Sequence, residues 1–265
     1  MQDQDPSKPI WRKEIKKPHL FVGTPVHSEV SIHYTQSLLE LQKSCFYKRV
    51  KIEFSLIKSS LVTQGRNLCV AGFLDSDATH LLFIDSDISF KEQSIFKMIE
   101  KDMDVISIPY PLKNFDWDKG FNKFKQNKIM DARSLSQSFN QYPMKVAEPD
   151  NITIDNGVIE VTHSPTGCML IKREVLKKMI KEYPHLMIKQ KTIINGGVVD
   201  RSNFYNLFDT LFDKETNTYH GEDFAFCKRW TDIGGKCHAY INDEITHVGE
   251  HSYVGCFGDE LIRTT

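Results

Sequence analysis

The stretch Thr79-His80-Leu81-Leu82-Phe83-Ile84-Asp85-Ser86-Asp87 decides the fold of this 265-residue chain. Its apolar run is continuous, whereas a strand with one solvated face alternates apolar with polar residues. A continuous run is typical of a strand that is buried on both faces, as in a parallel sheet between two layers of helices. Two carboxylates follow at the end of the strand, where open α/β sheets bind their ligands. The stretch therefore predicts both a layered α/β fold and the place of its site.

Strand and helix patterns alternate around this stretch. Before the first irregular segment, strands are predicted at residues 19–23, 51–57, 79–84 and 104–108, with helices starting at 28 or 31, at 63 or 64, and at 91. Further strands are predicted at 157–161, 168–171 and 236–241, with helices at 173–181 and 222–233. Alternation of this kind predicts an α/β domain, whose mostly parallel central sheet is flanked by helices.

The chain divides into a short arm and one large domain. Residues 1–17 are polar and are predicted to be a peripheral arm, and residues 18–265 are predicted to be a single domain. Regular patterns fail at about 112–156 and 182–219, which we interpret as insertions. Long loops on an α/β scaffold are commonly functional, so these stretches are expected to shape the acceptor site.

Composition excludes several classes of protein. The chain has 34 Lys and Arg against 35 Asp and Glu, a net charge of −1, and 40% hydrophobic residues. This balance excludes a disordered chain and argues against a general nucleic-acid binder. No apolar run reaches the roughly 18 residues of a membrane span. The N-terminus lacks the layout of a secretory signal, which predicts a cytoplasmic protein.

The cysteines indicate a reducing environment. None of the six forms a C-x-x-C pair, so a structural zinc knuckle is not expected. An even count in a long chain without a signal fits reduced thiols better than disulfides.

Asp85 and Asp87 are the strongest candidates for chemistry. Two carboxylates on either side of Ser86 repel each other unless a cation lies nearby. A hard divalent ion satisfies such oxygen ligands and also binds phosphate oxygens. The alternative is an ordinary strand-to-loop turn, because Asp and Ser are common turn residues.

Two later motifs carry further candidates. Glu222 and Asp223 follow Gly221 at the start of a predicted helix, where acids are favoured by the helix dipole and where one could also serve as a general base. His247 follows a strand late in the chain and could add a nitrogen ligand to the ion at Asp87; a surface histidine in a turn is the alternative, and His251 competes for the role.

Weaker candidates surround these. Arg66 could pair with a diphosphate, and Thr24-Pro25 could contact a nucleotide, although a helix-surface arginine and a capping turn explain them equally well. Gly167 would let a ligand approach the backbone closely. Aromatic rings that could stack on a sugar, or belong to local cores, are Tyr110, Phe115, Trp117 and Phe121.

Taken in order, these motifs resemble those of GT-A fold glycosyltransferases, most closely the family-2-type enzymes with a D-x-D motif. The matching segments are Thr24-Pro25, 64–67, Phe83-Ile84-Asp85-Ser86-Asp87, 166–173, Gly221-Glu222-Asp223 and Thr246-His247. The resemblance covers about residues 19–250, and the two irregular stretches match poorly.

The resemblance implies a nucleotide-sugar transferase with a GT-A, Rossmann-like fold. Asp85 and Asp87 would bind Mn²⁺ or Mg²⁺ at the donor diphosphate, with Asp87 as direct ligand, Asp85 touching ribose or acting through water, and His247 completing the shell. A UDP-sugar is the expected donor, and a glycan or another hydroxyl the expected acceptor. Residues expected at the donor are Thr24, Pro25, Arg66 and Ser86, and those at the acceptor are Trp117, Gly167 and Cys168.

The resemblance also implies the chemistry. Asp223 would take the proton of the acceptor hydroxyl, and Glu222 would support it or bind the acceptor. One base and in-line attack imply inversion at the sugar, but His247-x-Gly249 also resembles the late metal motif of some retaining enzymes, so retention stays open.

Two other classes compete with this interpretation. A haloacid-dehalogenase-type phosphatase also ends a strand with D-x-D, but there it is the first strand, whereas several strand and helix patterns precede Asp85. A non-catalytic sugar- or nucleotide-binding module is the other alternative, and the presence of all the expected acids gives it no support.

Overall fold

The structure is a computed structural model that describes residues 17–126, 131–189, 191–194, 197–199 and 202–250. The predicted arm at 1–17 lies outside these residues except for its last one, and so does His251.

The strands and helices follow the predicted alternation. The strands are β1 (His19–Val26), β2 (Lys51–Lys58), β3 (His80–Ile84), β4 (Ile88–Ser89), β5 (Val105–Ser107), β6 (Lys145–Val146), β7 (Val158–His163), β8 (Cys168–Lys172), β9 (Thr192–Ile194), β10 (Gly197–Val199), β11 (Leu211–Asp213), β12 (Thr218–His220), β13 (Cys237–Tyr240) and β14 (Thr246–His247). The helices are α1 (Ile32–Lys48), α2 (Val62–Asp75), α3 (Glu92–Glu100), α4 (Trp117–Lys125), α5 (Ala132–Ser138), α6 (Arg173–Glu182) and α7 (Glu222–Asp232).

Eight strands form the central sheet, in the order β2-β1-β3-β8-β5-β13-β7-β6. Strands β2, β1 and β3 are parallel, β8 runs against both β3 and β5, β13 is parallel to β5, and β7 is antiparallel to β13 and β6. Six of the eight strands therefore point one way. The predicted α/β class with a mostly parallel central sheet and flanking helices is confirmed.

Strand β3 explains why its apolar run is continuous. Leu81 and Phe83 pack into one hydrophobic core, and Leu82 and Ile84 pack into another on the opposite face of the sheet. Helix α2 covers the first core with residues such as Phe73, while α1 and α3 cover the second. Because both faces of the strand are buried from Leu81 to Ile84, these four positions are all apolar.

The expectation that residues 112–156 lack regular structure is wrong in part. Helices α4 and α5 lie there, and each begins at an aspartate whose side chain accepts a backbone N–H bond, Asp116 from Lys119 at 2.9 Å and Asp131 from Ser134 at 2.8 Å. Short capped helices are set by local hydrogen bonds rather than by a long apolar period. The described residues from 182 to 220 hold a 3-10 turn and two antiparallel strand pairs, β9-β10 and β11-β12.

Two further expectations concern thiols and membranes. The described cysteines are Cys45, Cys69, Cys168, Cys227 and Cys237, and all five are free and buried. Among the residues that the structure describes, no helix has the length and apolar character needed to cross a bilayer.

Candidate active site

The candidate residues meet at one edge of the sheet, beyond the end of β3. Asp85 follows that strand, and Gly167 lies beside it at the beginning of β8, because antiparallel pairing puts Cys168 opposite Ile84. The Asp85 backbone N–H donates to the Gly167 carbonyl oxygen at 3.0 Å. The start of α7 brings Glu222 and Asp223 to the same edge.

Arg66 connects the two groups of acids. Its Nη1 and Nη2 donate to the two carboxylate oxygens of Asp85 at 3.0 and 3.1 Å, and its Nε donates to Glu222 Oε1 at 3.3 Å. The Arg66 side chain is 3% exposed, and its guanidinium lies 5.4 Å from the centre of the Phe83 ring. Burial lowers the pKa of Arg66, but Asp85 and Glu222 more than offset this and raise it above the ordinary value. Its predicted contact with a diphosphate is not among these bonds and stays a prediction.

Asp87 lies between two potential cations. Lys113 Nζ is 2.6 Å from Asp87 Oδ2, and His247 Nε2 is 3.4 Å from the same oxygen. Burial alone would raise the pKa of Asp87, but His247 and Lys113 lower it to about 2. Asp87 is therefore ionised throughout the neutral range.

A hydrogen bond to the Pro111 carbonyl fixes the orientation of the His247 ring. Its Nδ1 lies 2.9 Å from the carbonyl oxygen of Pro111. A carbonyl only accepts, so Nδ1 carries the hydrogen and, in the neutral ring, the lone pair on Nε2 points toward Asp87. Histidines that bind metals usually donate their other ring N–H in this way.

Asp85, Asp87 and His247 do not form a ready three-ligand group, because Asp85 is turned toward Arg66. The described part of the chain contains one such group, His19, Glu53 and Asp77, at the opposite end of β1. Lys51 already supplies a cation there, at 2.9 Å from Asp77 and 3.4 Å from Glu53. At the candidate site, Asp87 Oδ2 and His247 Nε2 lie 3.4 Å apart, and a carboxylate oxygen and an imidazole nitrogen are both ligand types for divalent ions.

Asp223 differs from Asp87 in its electrostatics. Burial and the neighbouring charge of Glu222 raise the pKa of Asp223 to about 6, although the Phe224 N–H and Arg66 act in the opposite direction. The Phe224 N–H donates to Asp223 Oδ1 at 2.7 Å, which holds the carboxylate at the first turn of α7. A carboxylate with a pKa near neutrality and a fixed position suits general base catalysis.

Tyr110 packs between Gly167, next to Asp85, and the ring of His247. A Cβ on Gly167 would lie 2.6 Å from Tyr110 Cε1 and 2.8 Å from Asp85 Oδ2, so only glycine permits this packing. The Tyr110 ring also meets the ring of His247 edge-on, with centroids 4.9 Å apart. Burial and the charge of Asp85 raise the pKa of Tyr110 above the ordinary value. The sequence suggested sugar stacking or a place in a local core for Tyr110; the structure buries it in the second hydrophobic core, close to Asp85.

The remaining predicted residues are more remote or more buried. Thr24 and Pro25 lie near the end of β1 with buried side chains, and Thr24 Oγ1 is 2.7 Å from the hydroxyl of Tyr34. The Ser86 carbonyl accepts the Ser31 N–H at 2.8 Å, at the start of α1. The roles assigned to these residues at a nucleotide stay predictions.

Cys168 and Trp117 offer less to a substrate than expected. The Cys168 side chain is completely buried, and burial raises the pKa of its thiol to about 12, so the thiol is unreactive and out of a ligand's reach. Trp117 begins α4 and packs on Phe115 and Phe139, and none of its described contacts reaches the acids.

Lys113 and the Arg66 bonds were missed by sequence reasoning. Lys113 lies in the stretch predicted to be irregular, with no motif to mark it. Arg66 is 19 residues from Asp85 and 156 from Glu222, a separation that no local pattern reports.

Several solved structures are similar to this one. No family model matches the chain, and no curated protein matches it. The structure is similar to A197 from STIV, at 14% identity and a TM-score of 0.45, over 90% of this chain and 98% of that one. It is similar to a glycosyltransferase involved in glycosylation of the major capsid of PBCV-1, at 10% identity and a TM-score of 0.32, over 63% of this chain and 66% of that one. It is also similar to a UDP-glucose pyrophosphorylase complexed with UDP-glucose, at 8% identity and a TM-score of 0.41, over 86% of this chain and 92% of that one. At these identities and TM-scores, the likenesses carry no functional conclusion for this chain.

Proposed function

We propose that this protein is a metal-dependent glycosyltransferase, which moves a sugar from a nucleoside-diphosphate donor, UDP being the first candidate, to a hydroxyl of a glycan or other acceptor. One observation supports this above all: two acids in different surroundings lie at the same edge of the sheet, with Asp87 beside His247 and Lys113, and Asp223 held at the first turn of α7. The pKa of Asp87 is lowered to about 2 and that of Asp223 is raised to about 6. A firmly ionised acid suits a cation, and an acid near neutrality suits proton transfer.

In the donor half, Asp87 Oδ2 and His247 Nε2 would hold Mn²⁺ or Mg²⁺. The hydrogen bond of His247 Nδ1 to Pro111 keeps Nε2 facing Asp87, so the ligand pair is oriented in advance. A bound divalent ion supplies charge stabilisation to a departing diphosphate. Asp85, whose oxygens Arg66 already binds, would contact the donor ribose or act through water rather than ligate directly.

In the acceptor half, Asp223 takes the proton from the attacking hydroxyl. Glu222 raises the pKa of Asp223 by its charge and is itself held by Arg66. A single base of this kind supports attack in line with the leaving group and inversion of the sugar. Retention is the alternative, and the anomeric configuration of the product, read by NMR, distinguishes the two.

The contacts of Asp85 weigh against a phosphatase. That chemistry would use the first acid of the D-x-D motif as a nucleophile. Here both oxygens of Asp85 accept hydrogen bonds from Arg66, which lowers the reactivity of the carboxylate.

Thermal unfolding with nucleotides and manganese tests the proposal. We expect UDP or another nucleoside diphosphate to raise the Tm when Mn²⁺ is present and to raise it much less in a chelator, because Asp87 and His247 would hold the ion that stabilises the charge of the diphosphate. Asp87→Asn should remove the manganese-dependent part of the shift.

Glu40→Gln is the matched control, because Glu40 is an exposed acid whose pair with Lys43 lies on α1. It should behave like the wild type. An equal Tm shift with and without metal, across all nucleoside diphosphates, would remove the metal from the proposal.

Lys113→Met is expected to increase the affinity for Mn²⁺ by about two- to fivefold, the worth of one partly exposed ion pair. The Lys113 ammonium lies 2.6 Å from Asp87 Oδ2, the oxygen that would hold the ion, so the lysine would compete with metal binding. Calorimetric titration of the two proteins with MnCl₂ measures the difference. Lys119→Met, on the same segment but bonded to the Asn140 carbonyl, is the control. Weaker metal binding by Lys113→Met would contradict the expected competition.

A further inference from the structure

Helix α4 carries a row of aromatic side chains that face solvent. Trp117, Phe121 and Phe124 are four and three residues apart, which places them on one side of a helix. Their exposed fractions are 58%, 54% and 54%, and Phe115, just before the helix, is 42% exposed. Contiguous exposed apolar patches of this kind mark interaction sites on soluble domains.

The packing of α4 holds this aromatic row outward. Gly120 is the buried residue of this helix. A Cβ added there would lie 2.0 Å from Phe139 Cδ1, so the Phe139 ring packs directly on the helix backbone. The Phe139 ring also lies 5.0 Å from that of Trp117 and 6.2 Å from that of Phe121, by centroids. Asp116 fixes the first turn through its bond from the Lys119 N–H. The aromatic rings are thus supported along one edge and remain open on the other.

The charge of the helix is positive. Lys119, Lys123 and Lys125 stand against a single acid, Asp118. Lys123 and Lys125 are exposed, and neither has an ion-pair partner among the residues that the structure describes. Trp and Phe on one side of a helix, with lysines on its polar side, are typical of helices that lie in the interface of a membrane.

We propose that α4 docks this protein on the surface of an anionic lipid bilayer, with Trp117, Phe121 and Phe124 among the headgroups and Lys123 and Lys125 at the lipid phosphates. Each lysine near an anionic surface adds to such binding, and the aromatic rings add buried apolar area. This proposal does not depend on the proposed glycosyl transfer.

Two other occupants fit the helix less well. A second copy of the chain would bring two positively charged helices together, and like charges at an interface oppose pairing. A glycan would be expected in a concave site with convergent polar groups, whereas this row stands on the outer side of a helix.

Sedimentation with lipid vesicles tests the proposal. The full chain is mixed with vesicles of phosphatidylcholine containing about 30% phosphatidylserine, and with vesicles of phosphatidylcholine alone. We expect binding to the anionic vesicles and a reduction of about tenfold in the triple variant Trp117→Ser, Phe121→Ser, Phe124→Ser. The double variant Lys123→Glu, Lys125→Glu should lose its preference for anionic over neutral vesicles.

The matched control is Phe46→Ser with Tyr47→Ser, which removes two aromatic rings that are 79% and 73% exposed on α1. These variants should bind vesicles like the wild type, and circular dichroism should show all of them folded. Failure of the wild type to sediment with anionic vesicles would overturn the proposal, and so would equal binding by the triple variant. Dimers that dissociate in the triple variant, with no vesicle binding, would assign the row to a second copy instead.

Discussion

Asp223→Asn is expected to lower the rate of glycosyl transfer by about 10²- to 10⁴-fold, the range that a positioned general base contributes. Asparagine has nearly the same shape but takes no proton at neutral pH. Its side-chain oxygen can still accept the Phe224 N–H, so the start of α7 should be preserved. Binding of the nucleotide with manganese should therefore remain, and calorimetry on the variant checks this separately from turnover.

The pH dependence of the wild type provides a second measurement of the same role. The base must be ionised to act, and the pKa of Asp223 is raised to about 6. The value of kcat/KM should therefore fall as the pH drops through about 6 and level off above it. Glu222→Gln removes the charge of Glu222 and should lower the pKa of Asp223. The acidic limb of the kcat/KM profile, where activity falls, should therefore move to lower pH. Full activity in Asp223→Asn, or a limb that Glu222→Gln leaves in place, would assign the base to another residue.

Arg66→Met is expected to destabilise the fold by about 3–5 kcal/mol, the cost of removing one partner from a buried ion pair. The guanidinium is almost completely buried and neutralises Asp85 and Glu222 together. Without it, two partly buried carboxylates face each other with no cation between them. Denaturant unfolding of the wild type and the variant measures the loss.

Arg133→Met is the matched control, since Arg133 is exposed and pairs with Glu244 at the surface. It should cost no more than about 1 kcal/mol. Adding Asp85→Asn and Glu222→Gln to Arg66→Met should recover part of the lost stability, because amides need no cation. If Arg66→Met cost no more than Arg133→Met, the three side chains would not form the buried unit described.

The fold was largely predictable because burial on two faces leaves a distinct sequence pattern. The run from Leu81 to Ile84 serves two cores in alternation, so every position is apolar. The insertion of β8 between β3 and β5 was not predictable, because the partner of a strand is set by long-range packing. Helices α4 and α5 were missed because Asp116 and Asp131 start them by local hydrogen bonds.

The sequence allowed the positions of the acids in the candidate site to be predicted, but not the positions of the cations that pair with them. Asp85, Asp87 and Asp223 end a strand or begin a helix, and sheet topology brings such positions to one edge. Charge pairing across the chain has no local signature, so the bonds of Arg66 to Asp85 and Glu222 appear only in three dimensions. The same holds for Lys113 at Asp87.

The reversed direction of β8 has a consequence for how this architecture can vary. Between β5 and β8 the chain passes through α4 and α5 and then through β6 and β7, which form one edge of the same sheet, before Gly167 arrives beside Asp85. Gly167 is placed by the pairing of β8 with its two neighbours and not by the length of the excursion that precedes it. The part of this connection that lies outside the sheet, with α4 and α5, can therefore change in length or sequence while the candidate site keeps its shape.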